Sequence, residues 1–377
     1  MNDNITRTGN LSSEEATHDL YRSLFLDNIP LLDVRAPIEF IKGAFPLANN
    51  LPLLEDDERR RVGTAYKEFG QQAAIELGHR LVGGETKEQR LAAWQAWRQE
   101  HPQGWLYCFR GGLRSQIVQQ WLADVGVQIP RVPGGYKALR QFLTETLEET
   151  CSTQRFVVVA GPTGSGKTAL LRQLAASADL EGYAGHRGSA FGSQLGGQPA
   201  QIDFENRLAI RFLKLAALGA KEWYLEDESK AIGSLSVPHR LYEAMRQSPL
   251  ALIRASLEAR ANTILNDYIR ENLREFQQLD PALGFKQFSQ YLLGSLARIQ
   301  RRLGGDRYQE VANDMQEALR IQAETGSTDA HVVWITTLLK HYYDPMYAYQ
   351  LTKRQPVIRF EGSGEEFLDW AQVPATA

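Results

Sequence analysis

The run Gly161-Pro162-Thr163-Gly164-Ser165-Gly166-Lys167-Thr168 constrains this chain more than any other feature. Phe156-Val157-Val158-Val159-Ala160 precedes it, an apolar run of strand length, and Ala169-Leu170-Leu171-Arg172-Gln173-Leu174 continues it with helical spacing. Strand, glycine loop and helix in that order fit the Walker A pattern at every defined position. Such a loop needs a strand before it and a helix N-terminus after it, so this part of the chain is expected to be α/β. Gly161, Gly164 and Gly166, with Thr163 and Ser165 between them, let backbone N–H groups converge on phosphate oxygens. Lys167 would neutralise the outer phosphate, and the Thr168 hydroxyl would hold a metal ion, which makes Mg²⁺ the expected cofactor. The motif leaves open whether the ligand is a nucleoside triphosphate or another diphosphate.

A partner for this loop is expected at Trp223-Tyr224-Leu225-Glu226-Asp227-Glu228-Ser229, where a short apolar strand runs into three carboxylates. Glu226 or Asp227 would bind Mg²⁺ through water, with Glu228 as a base; the alternative is an acidic turn at a strand end. Between the two motifs, Gly182-Tyr183-Ala184-Gly185-His186-Arg187-Gly188-Ser189 is too rich in glycine for a regular element. It either closes over the phosphates, with Arg187 supplying charge, or is an exposed loop.

A second anion-handling segment, Cys108-Phe109-Arg110-Gly111-Gly112-Leu113-Arg114-Ser115, lies upstream. The apolar run Gly104-Trp105-Leu106-Tyr107 before it reads as a buried strand, and Ile117-Val118-Gln119-Gln120-Trp121-Leu122 after it as a helix. Cys108 is thus expected at a strand end under a helix N-terminus, where turn amides, the helix dipole, Arg110 and Arg114 suit a nucleophilic or atom-carrying sulfur. The two guanidinium forks suit a tetrahedral oxyanion, which suggests a substrate joining a chalcogen to an oxyanion. A buried structural cysteine is the competing explanation.

At 377 residues, 43% hydrophobic and 23% charged, the chain has the size and composition of two ordinary packed domains. The polar opening Met1-Asn2-Asp3-Asn4-Ile5-Thr6-Arg7 has no apolar signal region, and no apolar stretch is long enough to span a bilayer. Two cysteines, Cys108 and Cys151, make no disulfide framework, so a reducing cytoplasm is expected. A net charge of −3 and a pI near 6.2 exclude whole-surface attraction to nucleic acid. Any RNA contact must be a local patch, for which Arg298, Arg301, Arg302 and Arg307 form the densest cluster, with Arg254, Arg260, Arg270 and Arg274 upstream. Tyr342, Tyr343, Tyr347 and Tyr349 either stack on bases or pack in the core.

The segments from Pro30 to Phe40 and from Gly43 to Pro52 resemble the opening strand and turn of the rhodanese family, whose members carry a persulfide on a loop cysteine. Five residues separate Cys108 from Arg114, one more than in sulfur-transferring rhodaneses and the same number as in rhodanese-fold and tyrosine phosphatases. A Cys-x5-Arg phosphatase fused to an ATPase is therefore an alternative, although Tyr107 stands where the phosphatase signature has histidine. A kinase-like or GTPase-like regulator with an inert rhodanese-like module is another.

Along nearly its whole length the chain resembles the bacterial tRNA 2-selenouridine synthases. The resemblance rests on the Cys108 to Ser115 loop, Val62-Gly63-Thr64-Ala65-Tyr66-Lys67, the Walker A loop, His186-Arg187-Gly188-Ser189, Glu226-Asp227-Glu228-Ser229, Leu303-Gly304-Gly305 and Tyr342-Tyr343-Asp344-Pro345. It implies an α/β chain with a rhodanese-like domain over 1–138, a connecting helix over 139–153, a P-loop NTPase-like core over 154–250 and a mostly helical, tRNA-contacting portion over 251–377. It also implies conversion of wobble 2-thiouridine to 2-selenouridine through S-geranyl-2-thiouridine, with geranyl diphosphate and selenophosphate as co-substrates and no need for ATP hydrolysis. Cys108 would be nucleophile or selenium carrier, Arg110 and Arg114 would bind phosphate, and a selenophosphate-supplying enzyme would be a partner. Arg260, Arg301, Arg302 and Arg307 would contact the tRNA.

Overall fold

The computed structural model describes residues 13–372, so the polar opening Met1–Arg7 lies outside the described residues. The chain forms two compact units, one comprising Met1–Glu149 with Ala200–Lys214 and the other Thr150–Pro199 with Leu215–Ala377.

The first unit is built on three short parallel strands, β1 (Leu31–Asp33), β2 (Ala48–Asn50) and β3 (Trp105–Tyr107), in the order β2-β1-β3. Leu31 lies opposite both Ala48 and Trp105, and Arg131 adds a parallel bridge to Leu106. β1 is buried along its length, which suits a parallel strand covered on both faces. Its one charged residue, Asp33, is neutralised by the equally buried Arg35 at 2.6 Å, and the Arg35 guanidinium lies 3.7 Å from the centre of the Tyr136 ring. Leu32, Val34, Trp94, Leu106, Val118 and Leu122 make the surrounding core. The helix Asp56–Leu81 is broken at Gly70, whose φ of +84° is far from helical.

Ala200–Lys214, expected within the P-loop core, belongs to this first unit. The helix Gln201–Ala217 is tied there by polar contacts: Asn206 donates to the Ala44 carbonyl at 2.7 Å, and the Ala44 amide donates to Asp203 at 2.6 Å. Arg140 donates to Asn206 at 2.9 Å and also pairs with Glu205. The unit is therefore discontinuous in sequence, and the helix Gly135–Thr153 spans the division at Glu149.

The second unit holds β4 (Arg155–Ala160), β5 (Ser177–Ala178), β6 (Glu222–Glu226), the small hairpin β7 (Ala231–Ile232) and β8 (Leu235–Ser236), β9 (Leu250–Ile253) and β10 (Ile358–Gly362). Five of these form one parallel sheet in the order β10-β9-β4-β6-β5. Val157, Val158 and Val159 of β4 are fully buried, and the phosphate loop sits at the strand's C-terminal end, where ligands bind in open parallel sheets. After β9 the chain is helical, from Leu257–Ile264 to Asp344–Arg354, around a core of Phe288, Leu292, Val311, Met315 and Leu339. It then returns as β10 to the sheet edge. The α/β class with a helical C-terminal portion is thus the architecture found. Among the described residues no helix is long and apolar enough to cross a membrane.

Candidate active sites

Cys108 follows directly on β3 and is buried. Its Sγ lies 3.2 Å from Ser115 Oγ and 3.8 Å from the Gly112 carbonyl, while Ser115 Oγ donates to that carbonyl at 2.9 Å. The sulfur thus rests beneath the first turn of the helix Leu113–Asp124, as its position in sequence requires. The loop is closed from behind by the next segment, because the amides of Tyr136 and Lys137 donate to the carbonyls of Cys108 and Phe109, each at 2.9 Å. Gly135 (φ +60°) makes this approach feasible, since a Cβ there would come within 2.3 Å of the Cys108 carbonyl oxygen.

The two arginines of the loop differ. Arg110 is exposed. Arg114 makes a two-pronged pair with Glu39 at 2.6 and 3.2 Å, and Arg59 reaches the same carboxylate at 2.9 Å. Burial opposes ionisation of Glu39, but the hydrogen bond and charge of Arg114, with Arg59 and the Ala36 amide, outweigh it and hold the carboxyl below its usual range. Glu39 is a site residue that pattern reading did not single out.

In the second unit the phosphate loop turns through Gly164 and Gly166, both with φ above +80°, into the short helix Lys167–Leu171. Lys167 Nζ donates to the Gly161 carbonyl at 2.8 Å. Thr168 Oγ1 donates to Glu226 Oε1 at 2.6 Å and lies 3.3 Å from Glu181 Oε2, and the Glu181 amide donates to Glu226 Oε2 at 3.0 Å. Gly188 (φ +64°) packs the glycine-rich segment against these acids, since a Cβ there would meet Glu181 at 2.3 Å and Glu228 at 3.0 Å. Burial first and neighbouring carboxylates second push Glu181 and Glu226 up to about 8 and Glu228 up to about 7. Glu181 was missed in sequence because one acid before a glycine-rich stretch has no pattern of its own.

Among the described residues no three His, Cys, Asp or Glu side chains are arranged to hold a metal ion by themselves. Thr168 Oγ1 and Glu226 Oε1, 2.6 Å apart, are nonetheless oxygen donors of the kind Mg²⁺ takes, since that ion typically uses one or two carboxylates and completes its shell with water and substrate phosphate.

Residues 154–376 match the family model described as the tRNA 2-selenouridine synthase AAA domain. The tRNA 2-selenouridine synthase of Pseudomonas fluorescens is 51% identical over 351 residues, covering 93% of this chain and 96% of the relative. That of Bordetella bronchiseptica is 53% identical over 359 residues, with 95% and 98% covered. The chain belongs to the tRNA 2-selenouridine synthase family. The corresponding protein of Marinobacter nauticus, 48% identical over 363 residues, covers 96% of this chain and 99% of its own length. As a member of that family the chain is an enzyme, and matches spanning both anion-handling loops set aside the phosphatase–ATPase fusion.

The remaining expected positions of this tRNA 2-selenouridine synthase family member fall apart into several roles. Asp227 does not join the acidic cluster at Thr168; it pairs with Arg354 at 2.7 Å. Arg187 donates to the Asp267 carbonyl at 2.8 Å and to Asn272 at 2.6 Å, so its guanidinium braces the helical portion. Arg260 is buried, binding both oxygens of Asp344 and donating to the Thr163 carbonyl at 2.8 Å, which takes it off any tRNA-facing surface. Arg301 and Arg302 are exposed, and Arg307 is half-buried, 3.9 Å from Glu310. Tyr342 and Tyr343 belong to the core, whereas Tyr349 is exposed.

Proposed function

We propose that this protein converts 2-thiouridine at the wobble position of tRNA to 2-selenouridine in two steps. In the first, the thiocarbonyl sulfur attacks the allylic carbon of geranyl diphosphate, an S–C bond forms and pyrophosphate leaves. In the second, selenophosphate supplies selenium to C2, geranylthiol departs, and water takes the phosphoryl group away as phosphate. Alkylation has a chemical purpose here, because a thioether sulfur leaves C2 far more readily than a thiocarbonyl sulfur does.

The phosphate loop would hold the diphosphate, with Lys167 and Thr168 stabilising charge on the leaving pyrophosphate. Mg²⁺, held through Thr168 and the Glu226, Glu181 and Glu228 cluster, would neutralise that charge further. The Cys108 loop would serve the selenium step, with Cys108 as nucleophile or selenium carrier and Arg110 and Arg114 binding the phosphate end of selenophosphate. Arg301, Arg302 and Arg307 would contact the tRNA. The place of action would be the cytoplasm, with a selenophosphate-supplying enzyme as upstream partner.

The observation that carries this reading is the coexistence, in one family member, of a sulfur seated under a helix N-terminus and a separate phosphate loop with its own carboxylates. The test is to incubate the purified protein with 2-thiouridine tRNA and geranyl diphosphate, without ATP, adding selenophosphate to half and analysing nucleosides by mass spectrometry. Geranylthiouridine in one half and selenouridine in the other is the expected result. No change in either would return the phosphate loop to nucleotide binding.

A further inference from the structure

The first unit contains a cavity of about 720 Å³ between the helix Asp56–Leu81 and the first turns of the helix Leu113–Asp124. This lies within the range of roughly 300–1,000 Å³ that encloses a drug-sized ligand. Val62, Tyr66, Ile75, Leu113, Ile117 and Trp121 form its walls. The helix Asp56–Leu81 buries only Ala74 along its length, and Tyr66 and Leu113 remain 58% and 41% exposed. An apolar surface of this kind, left open in a folded chain, marks a binding site.

Its position says what kind of ligand fits. Leu113 and Arg114, which line the cavity, belong to the same helical turn as Ser115, whose hydroxyl contacts the Cys108 sulfur at 3.2 Å. Arg59, Arg60, Lys67 and Arg114 also line it. Glu39 pairs with Arg59 and Arg114, and Asp57 with Arg60, while Lys67 has no ion pair among the described residues. The ligand is therefore apolar over most of its surface and joined to an anionic body. A selenophosphate ion alone would not require these walls.

We propose that this cavity holds the hydrocarbon chain of the S-alkylated uridine while selenium displaces its sulfur. The proposal rests on the two-step reading above. As the C2–Se bond forms, the C2–S bond breaks, its electron pair goes to sulfur, and the thiolate takes a proton and leaves as geranylthiol. The chain must be sheltered from water before and during this exchange, and the cavity beside the Cys108 loop shelters it. Arg114 is kept for selenophosphate, and Lys67, Arg59 and Arg60 are the cavity's cations for the phosphates of the tRNA that carries the chain.

The test uses the full-length protein and pre-formed S-geranyl-2-thiouridine tRNA with selenophosphate. Ile75→Trp, which fills the cavity, should raise the KM for geranylated tRNA at least tenfold with kcat largely kept, and geranylthiol should inhibit the wild type competitively but not the variant. The retained kcat for selenation, a reaction of the same unit, shows that the variant is folded there. An unchanged KM, or unaltered inhibition by geranylthiol, would overturn the cavity assignment. Failure of the wild type to selenate geranylated tRNA would instead overturn the two-step reading, and this proposal with it.

Discussion

The Thr168 hydroxyl donates to Glu226 Oε1 at 2.6 Å, joining the phosphate loop to the end of the neighbouring strand. Thr168→Val keeps the shape and removes the hydroxyl. Geranylation should then fall by about a hundredfold, the scale of losing one group that stabilises developing charge. Initial rates across a Mg²⁺ titration provide the check, and wild-type rates would exclude Thr168 from the reacting diphosphate.

The raised carboxylates of Glu181, Glu226 and Glu228 make a prediction about pH. In the folded protein they keep protons that the unfolded chain releases above the ordinary glutamate value of 4.5, so folding binds protons between that value and about 8. Stability from this cluster is fully present at the acid end and is lost as pH rises. The melting temperature should fall from pH 5 to pH 8, and Mg²⁺ with a diphosphate should raise it more at pH 8 than at pH 6. Thermal melts of wild type and Glu181→Gln decide this, with a flatter profile expected for the variant.

Division of labour gives a third expectation. Cys108→Ala should lose selenation yet accumulate geranylated tRNA, while Lys167→Ala should abolish geranylation. Mass spectrometry of tRNA nucleosides from each variant reads both steps at once. Loss of both products in Cys108→Ala would mean that the sulfur serves geranylation too.

These sites were legible in sequence to different depths. The phosphate loop and the Cys108 loop announce themselves because each depends on glycines within one short run of sequence and on one charged or nucleophilic residue. Glu181 and Glu39 stayed hidden because their roles arise from long-range packing, with Glu226 and Arg114 respectively. Asp227 looked like Glu226 and Glu228, yet its side chain pairs with Arg354, far along the chain. The helix Gln201–Ala217 could not be assigned to its unit from periodicity, since an amphipathic pattern says that a face is buried and not against what. β10 was too short and too exposed to stand out in a stretch read as mostly helical.

Arg260 illustrates an asymmetry that stability measurements can expose. Its side chain is 6% exposed, whereas its partner Asp344 is 35% exposed. Removing Asp344 leaves a guanidinium buried and half-paired, at about 3 kcal/mol, the lower end for breaking a buried ion pair. Removing Arg260 leaves a carboxylate that water can reach, so Arg260→Met should cost less. It should nonetheless weaken diphosphate binding, because the hydrogen bond from Arg260 to the Thr163 carbonyl is lost. Chemical denaturation of the two variants tests the order, and the reverse order would refute this account.

Glu39 offers a last test, aimed at the anion site of the Cys108 loop. Its carboxylate occupies the Arg114 fork at 2.6 and 3.2 Å, so an arriving oxyanion must share that guanidinium or draw it away. Glu39→Gln removes the competing charge while an amide oxygen still accepts a hydrogen bond, so Arg114 stays roughly in place. A part-exposed ion pair is worth about 0.2–1 kcal/mol, so the KM for selenophosphate should fall by about 1.4- to fivefold. Glu39→Ala removes the anchor as well, and kcat for selenation should drop because Arg114 is no longer oriented. The depressed titration of Glu39 fixes the pH behaviour. Its pairing is fully present above the ordinary glutamate value and is lost only as pH falls through its lowered folded value, so the Gln effect should be the same at pH 6 and pH 8. Steady-state selenation at both pH values separates this positioning role from proton transfer by Glu39, which would appear as a pH-dependent loss of kcat in Glu39→Gln.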